Sequence, residues 1–146
     1  MVLPIKASCQ CGQVSYILRK APTNVWACHC KECQKLSTSP FSVTAFVDAS
    51  DITFTGEMRQ WERKAESGHR NIAYFCSGCG NRIYHLNPFA PQSIKLKLKP
   101  TCSSGLNTLT EEDAFLFSPS AHIWVSEKVA WYELPEHLPA YAKQPS

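Results

Sequence analysis

Of the eight cysteines in this chain, seven fall into three short clusters. They are Cys9-Gln10-Cys11, Cys28-His29-Cys30-Lys31-Glu32-Cys33 and Cys76-Ser77-Gly78-Cys79. Thiolates one or two residues apart are the ordinary ligands of zinc. The outer pairs, each beside a turn, together supply four sulfurs, the closed tetrahedral set of a structural zinc. Separate thiols or a disulfide are the competing reading. Cys28, Cys30 and Cys33 then form a group one ligand short, the pattern of a catalytic zinc with an open position. Three thiolates against one divalent cation leave a net negative charge. Such a centre is a weak Lewis acid, so it suits holding an incoming thiol better than acidifying water.

Other side chains carry less specific signals. In an extended segment His29 points away from the sulfurs of its neighbours, which predicts packing or support of the ligands rather than coordination. His122 precedes an apolar stretch and is a candidate proton carrier facing the open position, against a structural histidine. His85 and His137 have no cluster around them in sequence. Cys102 is left over, a loop thiol or a fourth ligand to the second zinc. Lys31, Lys35, Arg63, Arg70 and Arg82 could meet a ligand's carboxylates or simply face solvent. Trp26, Phe41, Trp61, Tyr74 and Trp124 are core candidates, one or two of which could wall a pocket.

The elements that position these groups read as short strands. Residues 5–19 form a hairpin with Val14, Tyr16 and Leu18 on one side, and Gly12 is expected at positive φ. Residues 25–28 enter the central cluster as a strand, and 31–36 form a short helix. Strands are expected at 41–47, with Phe41, Val43, Ala45 and Val47 on one face, and at 51–56, 58–63, 71–75 and 82–86. The run 93–99 turns Ile94, Leu96 and Leu98 inward and three lysines outward. Residues 100–113 read as loop, with a helical turn at 110–113. A last strand covers 121–125, and 131–146 is an extended tail lying on the domain. The fold class is mostly β, with little helix, in a single domain over 1–146, its core at 5–134 and its tail at 135–146.

The bulk composition bounds the function. A chain of 146 residues has the length of one ordinary domain and needs no staples merely to fold. Its net charge is +3 and its pI about 8.4, with no Lys/Arg-rich run beyond the pairs Arg19-Lys20 and Arg63-Lys64. That argues against a nucleic-acid footprint. The N-terminus lacks the pattern of a signal peptide, and no apolar run reaches the ~20 residues that span a bilayer. A cytoplasmic, reducing location is therefore expected, where disulfides are rare.

Cys-x-Cys-Gly, Cys-His-Cys-x-x-Cys and Cys-x-x-Cys-Gly followed by an Ile-Tyr strand, together with His122-Ile123-Trp124-Val125, Lys128 and Trp131, resemble the glutathione-dependent formaldehyde-activating enzyme family. That family also includes centromere protein V. The resemblance covers about residues 5–134. It implies a β-tent-like stack of small antiparallel sheets around two zinc sites. Cys9, Cys11, Cys76 and Cys79 would hold the structural zinc, and Cys28, Cys30 and Cys33 the active one. It further implies a carbon–sulfur lyase with glutathione as co-substrate and formaldehyde or another small electrophile as its partner. The alternative is a non-catalytic zinc module that binds protein or nucleic acid.

Overall fold

Alternating side chains organise the first sheet. The computed structural model describes residues 3–100 and 115–145. In strand β2 (Ser15–Leu18) and the residue before it, Val14, Tyr16 and Leu18 are fully buried, as the alternation predicts. β2 pairs antiparallel with β1 (Ile5–Ser8) on one side and β5 (Ile52–Thr55) on the other. Burying a tyrosine requires a partner for its hydroxyl; that of Tyr16 donates to the Leu98 carbonyl at 2.8 Å.

Two compact units divide the chain, Met1–Thr23 with Phe46–Phe117 and Asn24–Ala45 with Ser118–Ser146. Besides the sheet just described, the first contains β6 (Met58–Lys64), β7 (Arg70–Cys76), β8 (Arg82–Leu86) and β9 (Ser93–Leu96), antiparallel neighbours in reverse order. A turn at Ser67-Gly68 joins β6 to β7, with Gly68 at φ 87. Tyr74 and Tyr84, opposite each other on β7 and β8, stack at 4.4 Å, and Phe54 stacks on Tyr84 at 4.5 Å. β9 is shorter than the predicted 93–99. The Lys97 and Leu98 amides both donate to the Ile83 carbonyl, which breaks the ladder after Leu96, although Leu98 stays buried.

In the second unit, β3 (Asn24–Cys28) lies between β4 (Ser42–Asp48) and β10 (Ala121–Ile123). The unit boundary falls within β4, after Ala45. The simple alternation expected for β4 fails there, because Ser42, Thr44, Ala45 and Val47 are the buried residues. Adjacent Thr44 and Ala45 are both inside, so both faces of the strand are covered and alternate positions no longer decide burial. β10 runs parallel to β3, whereas an antiparallel sheet was expected. Parallel neighbours need a long connection, and the chain between Cys28 and Ala121 provides one. β10 also stops earlier than 121–125, because Trp124 takes a left-handed conformation and Val125–Glu127 form a 3-10 turn.

The tail follows the sequence reading in part. Its residues 139–143 run beside 122–126 as an added, bonded segment. The architecture is mostly β, with one α-helix, α1 (Lys31–Ser37), among the described residues. None of the helices described is long and apolar enough to cross a membrane. Cys102 and the turn expected at 110–113 lie outside the described residues.

Candidate metal centres

The outer pairs meet within the first unit. The ligand atoms of Cys9, Cys11, Cys76 and Cys79 all lie within 4.8 Å of one another. Cys9 and Cys11 are 3.7 Å apart at sulfur, and Cys11 and Cys76 3.6 Å. A tetrahedron with metal–sulfur bonds of about 2.3 Å has edges of about 3.8 Å, so the sulfurs stand where a zinc ion needs them.

The two turns are built alike. The Cys9 amide donates to the Val14 carbonyl and the Cys76 amide to the Asn81 carbonyl, each at 2.9 Å. Gly12, at φ 84 as expected, and Gly80 donate back to the carbonyls of Cys9 and Cys76. The tight turns then aim amides at sulfur: Val14 N–H at Cys9 Sγ (3.3 Å), and the Gly78 and Cys79 amides at Cys76 Sγ (3.3 and 3.5 Å). Gly78 also lets the backbone come close, since a β-carbon there would sit 2.6 Å from Gln13 Oε1 and 3.4 Å from Cys11 Sγ. Gln13 in turn donates to Ser77 Oγ at 3.2 Å and ties the turns together.

These contacts separate the thiols electrostatically. Burial opposes ionisation of Cys9, but the Val14 amide and the thiols of Cys76, Cys11 and Cys79 outweigh it and lower its pKa to about 6. The amides of Asn81 and Cys11 draw that of Cys79 down as well. For Cys11 the Gln13 amide favours the thiolate, but Cys76, burial, Cys9 and Cys79 push its pKa up to about 11. The shifts are coupled through the sulfur contacts, so ionising one thiol opposes ionisation of the thiol beside it.

The central three sulfurs gather within the second unit, again within 4.8 Å of one another, with Cys28 and Cys33 buried and Cys30 partly exposed. β3 delivers Cys28. Cys30 is the N-cap of α1, and its sulfur accepts the Cys33 amide at 3.3 Å. Glu127 Oε1 accepts the Lys31 amide at 2.8 Å, and Gln34 Nε2 donates to the carbonyls of His29 and Glu127. Trp26, Trp124 and buried Ile123 pack around the cysteines. The neighbouring thiols of Cys30 and Cys33, and then burial, drive the Cys28 thiol strongly upward. For Cys30 the Cys28 thiol favours ionisation, but Cys33 and burial win and raise it. Among the described residues no fourth cysteine, histidine or carboxylate joins this cluster.

His29 is turned away from the sulfurs, as its place in an extended segment predicts. It is fully buried, and its Nε2 meets His122 Nδ1 at 2.8 Å. Ile123 packs on the cysteines, so strand alternation carries His122 to the opposite side, towards His29. Phe41 and Tyr132 complete a four-ring cluster, their centroids 5.1 and 5.5 Å from that of His29. Desolvation, with the charges of His122 and Lys128, lowers the His29 pKa to about 4, and desolvation lowers that of His122 too. His29 Nδ1 is buried without a hydrogen-bond partner. The His29–His122 pair, the Glu127 cap and the left-handed Trp124 have no local signature in sequence, because each depends on a partner far along the chain.

His85, read as isolated, is in fact buried between Asn71 Nδ2 (3.3 Å) and Arg82 Nη1 (2.9 Å). Arg82 also lies over the Trp61 ring, and Arg70 pairs with Glu62. These arginines and Arg63 stand on β6, β7 and β8 of the first unit, whereas Lys31 and Lys35 share α1 with Cys33. His137 is exposed.

The fold resembles a crystal structure of a Rhodobacter sphaeroides protein from structural genomics. That match has a TM-score of 0.52 at 18% identity and covers 71% of this chain and 92% of the other. No curated protein sequence matches the chain. The model of the family described as glutathione-dependent formaldehyde-activating enzyme matches residues 4–127, and the chain therefore belongs to that family.

Proposed function

We propose that the chain is a zinc-dependent enzyme of carbon–sulfur lyase type, acting as one domain in the cytoplasm. It forms or cleaves the adduct of a glutathione-like thiol with formaldehyde or another small electrophile. The observation that carries this reading is the central set of three sulfurs with no fourth ligand among the described residues. Family membership supports the choice of thiol and aldehyde. Cys9, Cys11, Cys76 and Cys79 would hold a structural zinc. Cys28, Cys30 and Cys33 would hold the second, which when bound supplies a position where a thiol is kept as thiolate.

The chemistry balances without an oxidant. Sulfur adds to the carbonyl carbon, the carbon–oxygen π bond breaks, and the thiol proton ends on oxygen; lysis is the reverse. The protein's own part is positional. The Cys33 amide stabilises negative charge on Cys30, and Trp26, Ile123 and Trp124 pack against the cysteines and limit the directions from which they can be approached. Lys31 and Lys35 offer positive charge near the cluster for a ligand carboxylate. His122, bonded to His29, acts in this reading by positioning that residue rather than by touching sulfur.

The test is Cys30→Ser. Serine is also a good N-cap, so α1 is kept. The variant is expected to bind one zinc instead of two, to keep its far-ultraviolet spectrum and to lose formation of S-hydroxymethylglutathione. Complete unfolding would make the central zinc structural and favour a non-catalytic zinc module.

A further inference from the structure

Trp124 stands in a conformation that its surroundings must hold. Its φ of 58 and ψ of 35 put a bulky residue in the left-handed region, where the β-carbon crowds the carbonyl. The restraint comes from the C-terminal segment. The His122 amide donates to the Pro139 carbonyl (3.0 Å), and the Tyr141 amide returns to the His122 carbonyl (2.9 Å). Beyond them the amides of Trp124, Val125 and Ser126 donate to the carbonyls of Lys143, Tyr141 and Ala142, at 3.1, 3.1 and 3.2 Å. The Lys143 ammonium lies 5.7 Å from the centroid of the Trp124 ring. Backbone bonds therefore bracket Trp124 from both sides, and the same ring packs on the cluster of Cys28, Cys33 and Ile123.

We propose that residues 139–143 are a strap that fixes Trp124 as a wall over the three central sulfurs. Trp124 is thus a positioning residue that limits which thiols and electrophiles reach them. The strap lies beyond residues 4–127, over which the family model matches. A left-handed tryptophan without it relaxes to an extended conformation, and the indole leaves the sulfurs. The inference rests on the proposed chemistry only in taking the shielded group as the reacting one; shielding itself can be read without glutathione.

Zinc-loaded full-length protein is treated with iodoacetamide, and labelling is followed by mass spectrometry on peptides carrying each cluster. Tyr141→Pro removes the donor to the His122 carbonyl. It is expected to speed labelling of Cys28, Cys30 and Cys33 about tenfold through local opening, leaving Cys9, Cys11, Cys76 and Cys79 unchanged. Trp124→Gly is expected to do the same with the strap intact, whereas Trp124→Phe, which keeps a ring there, restores slow labelling. Unchanged rates in Tyr141→Pro, equal acceleration of all seven cysteines, or failure of Trp124→Phe to rescue would each overturn the assignment. If the strap holds but glutathione does not alter labelling of the central three, the strap stands and the proposed thiol fails.

Discussion

The two cysteine clusters use the same ligand atom in opposite ways. The outer four join turns separated by 65 positions at Cys11 and Cys76, and sulfur geometry, aimed amides and the Gln13–Ser77 bond all converge on a closed tetrahedron. The central three come from one stretch of six residues, at a strand end and a helix N-terminus. Holding distant turns together restricts the unfolded chain far more than holding neighbours does. In the proposed account the outer cluster is therefore tied to folding, and the central one is expected to be alterable with the fold intact.

The comparison can be broken first at the outer cluster. Cys76→Ser is expected to abolish cooperative folding of the first unit, since structural zinc contributes on the order of 10 kcal/mol or more in small zinc-binding peptides. Thermal unfolding followed by circular dichroism checks it, and a well-folded variant with a single zinc would remove the distinction between the clusters. Next in size is His122→Ala. It leaves His29 without its partner and opens a cavity, for a loss of about 2–4 kcal/mol in urea unfolding. Zinc release from the outer cluster should not change.

Tyr16→Phe strands the buried Leu98 carbonyl in the first unit and should cost about 1–2 kcal/mol by the same measurement, with the central cluster's labelling untouched. The smallest effect is expected from Gln13→Ala, which removes an exposed support of the outer sulfurs. Chelator competition should show zinc affinity there reduced about tenfold, at the lower end for groups that support metal ligands, with none lost at the central site.

How much of this was legible in the sequence follows the distance over which each feature is determined. Cysteine spacing, the alternation of Val14, Tyr16 and Leu18 and the helix after Cys30 are local, and the structure agrees with each. Side-chain alternation also turned His29 correctly away from the sulfurs. It failed in β4, where cover on both faces buries Ser42 and Thr44 beside Ala45. The parallel pairing of β10, its early end at Trp124 and the embedding of His85 with Asn71 and Arg82 depend on contacts between remote segments. Residue types near Trp124 favour a continuing strand; the bonds from residues 139–143 that flank the turn there are not written in the local sequence.

The central claim is that one zinc site is saturated by the protein and the other has room for a thiol. X-ray absorption on Cys76-intact, Cys30→Ser protein isolates the outer site, and its spectrum can be subtracted from that of the parent with two zincs. The account predicts four sulfurs at the outer site whether or not millimolar glutathione is present. At the central site it predicts three sulfurs and one lighter ligand without glutathione, and four sulfurs with it. A central site whose coordination is the same under both conditions would contradict the account.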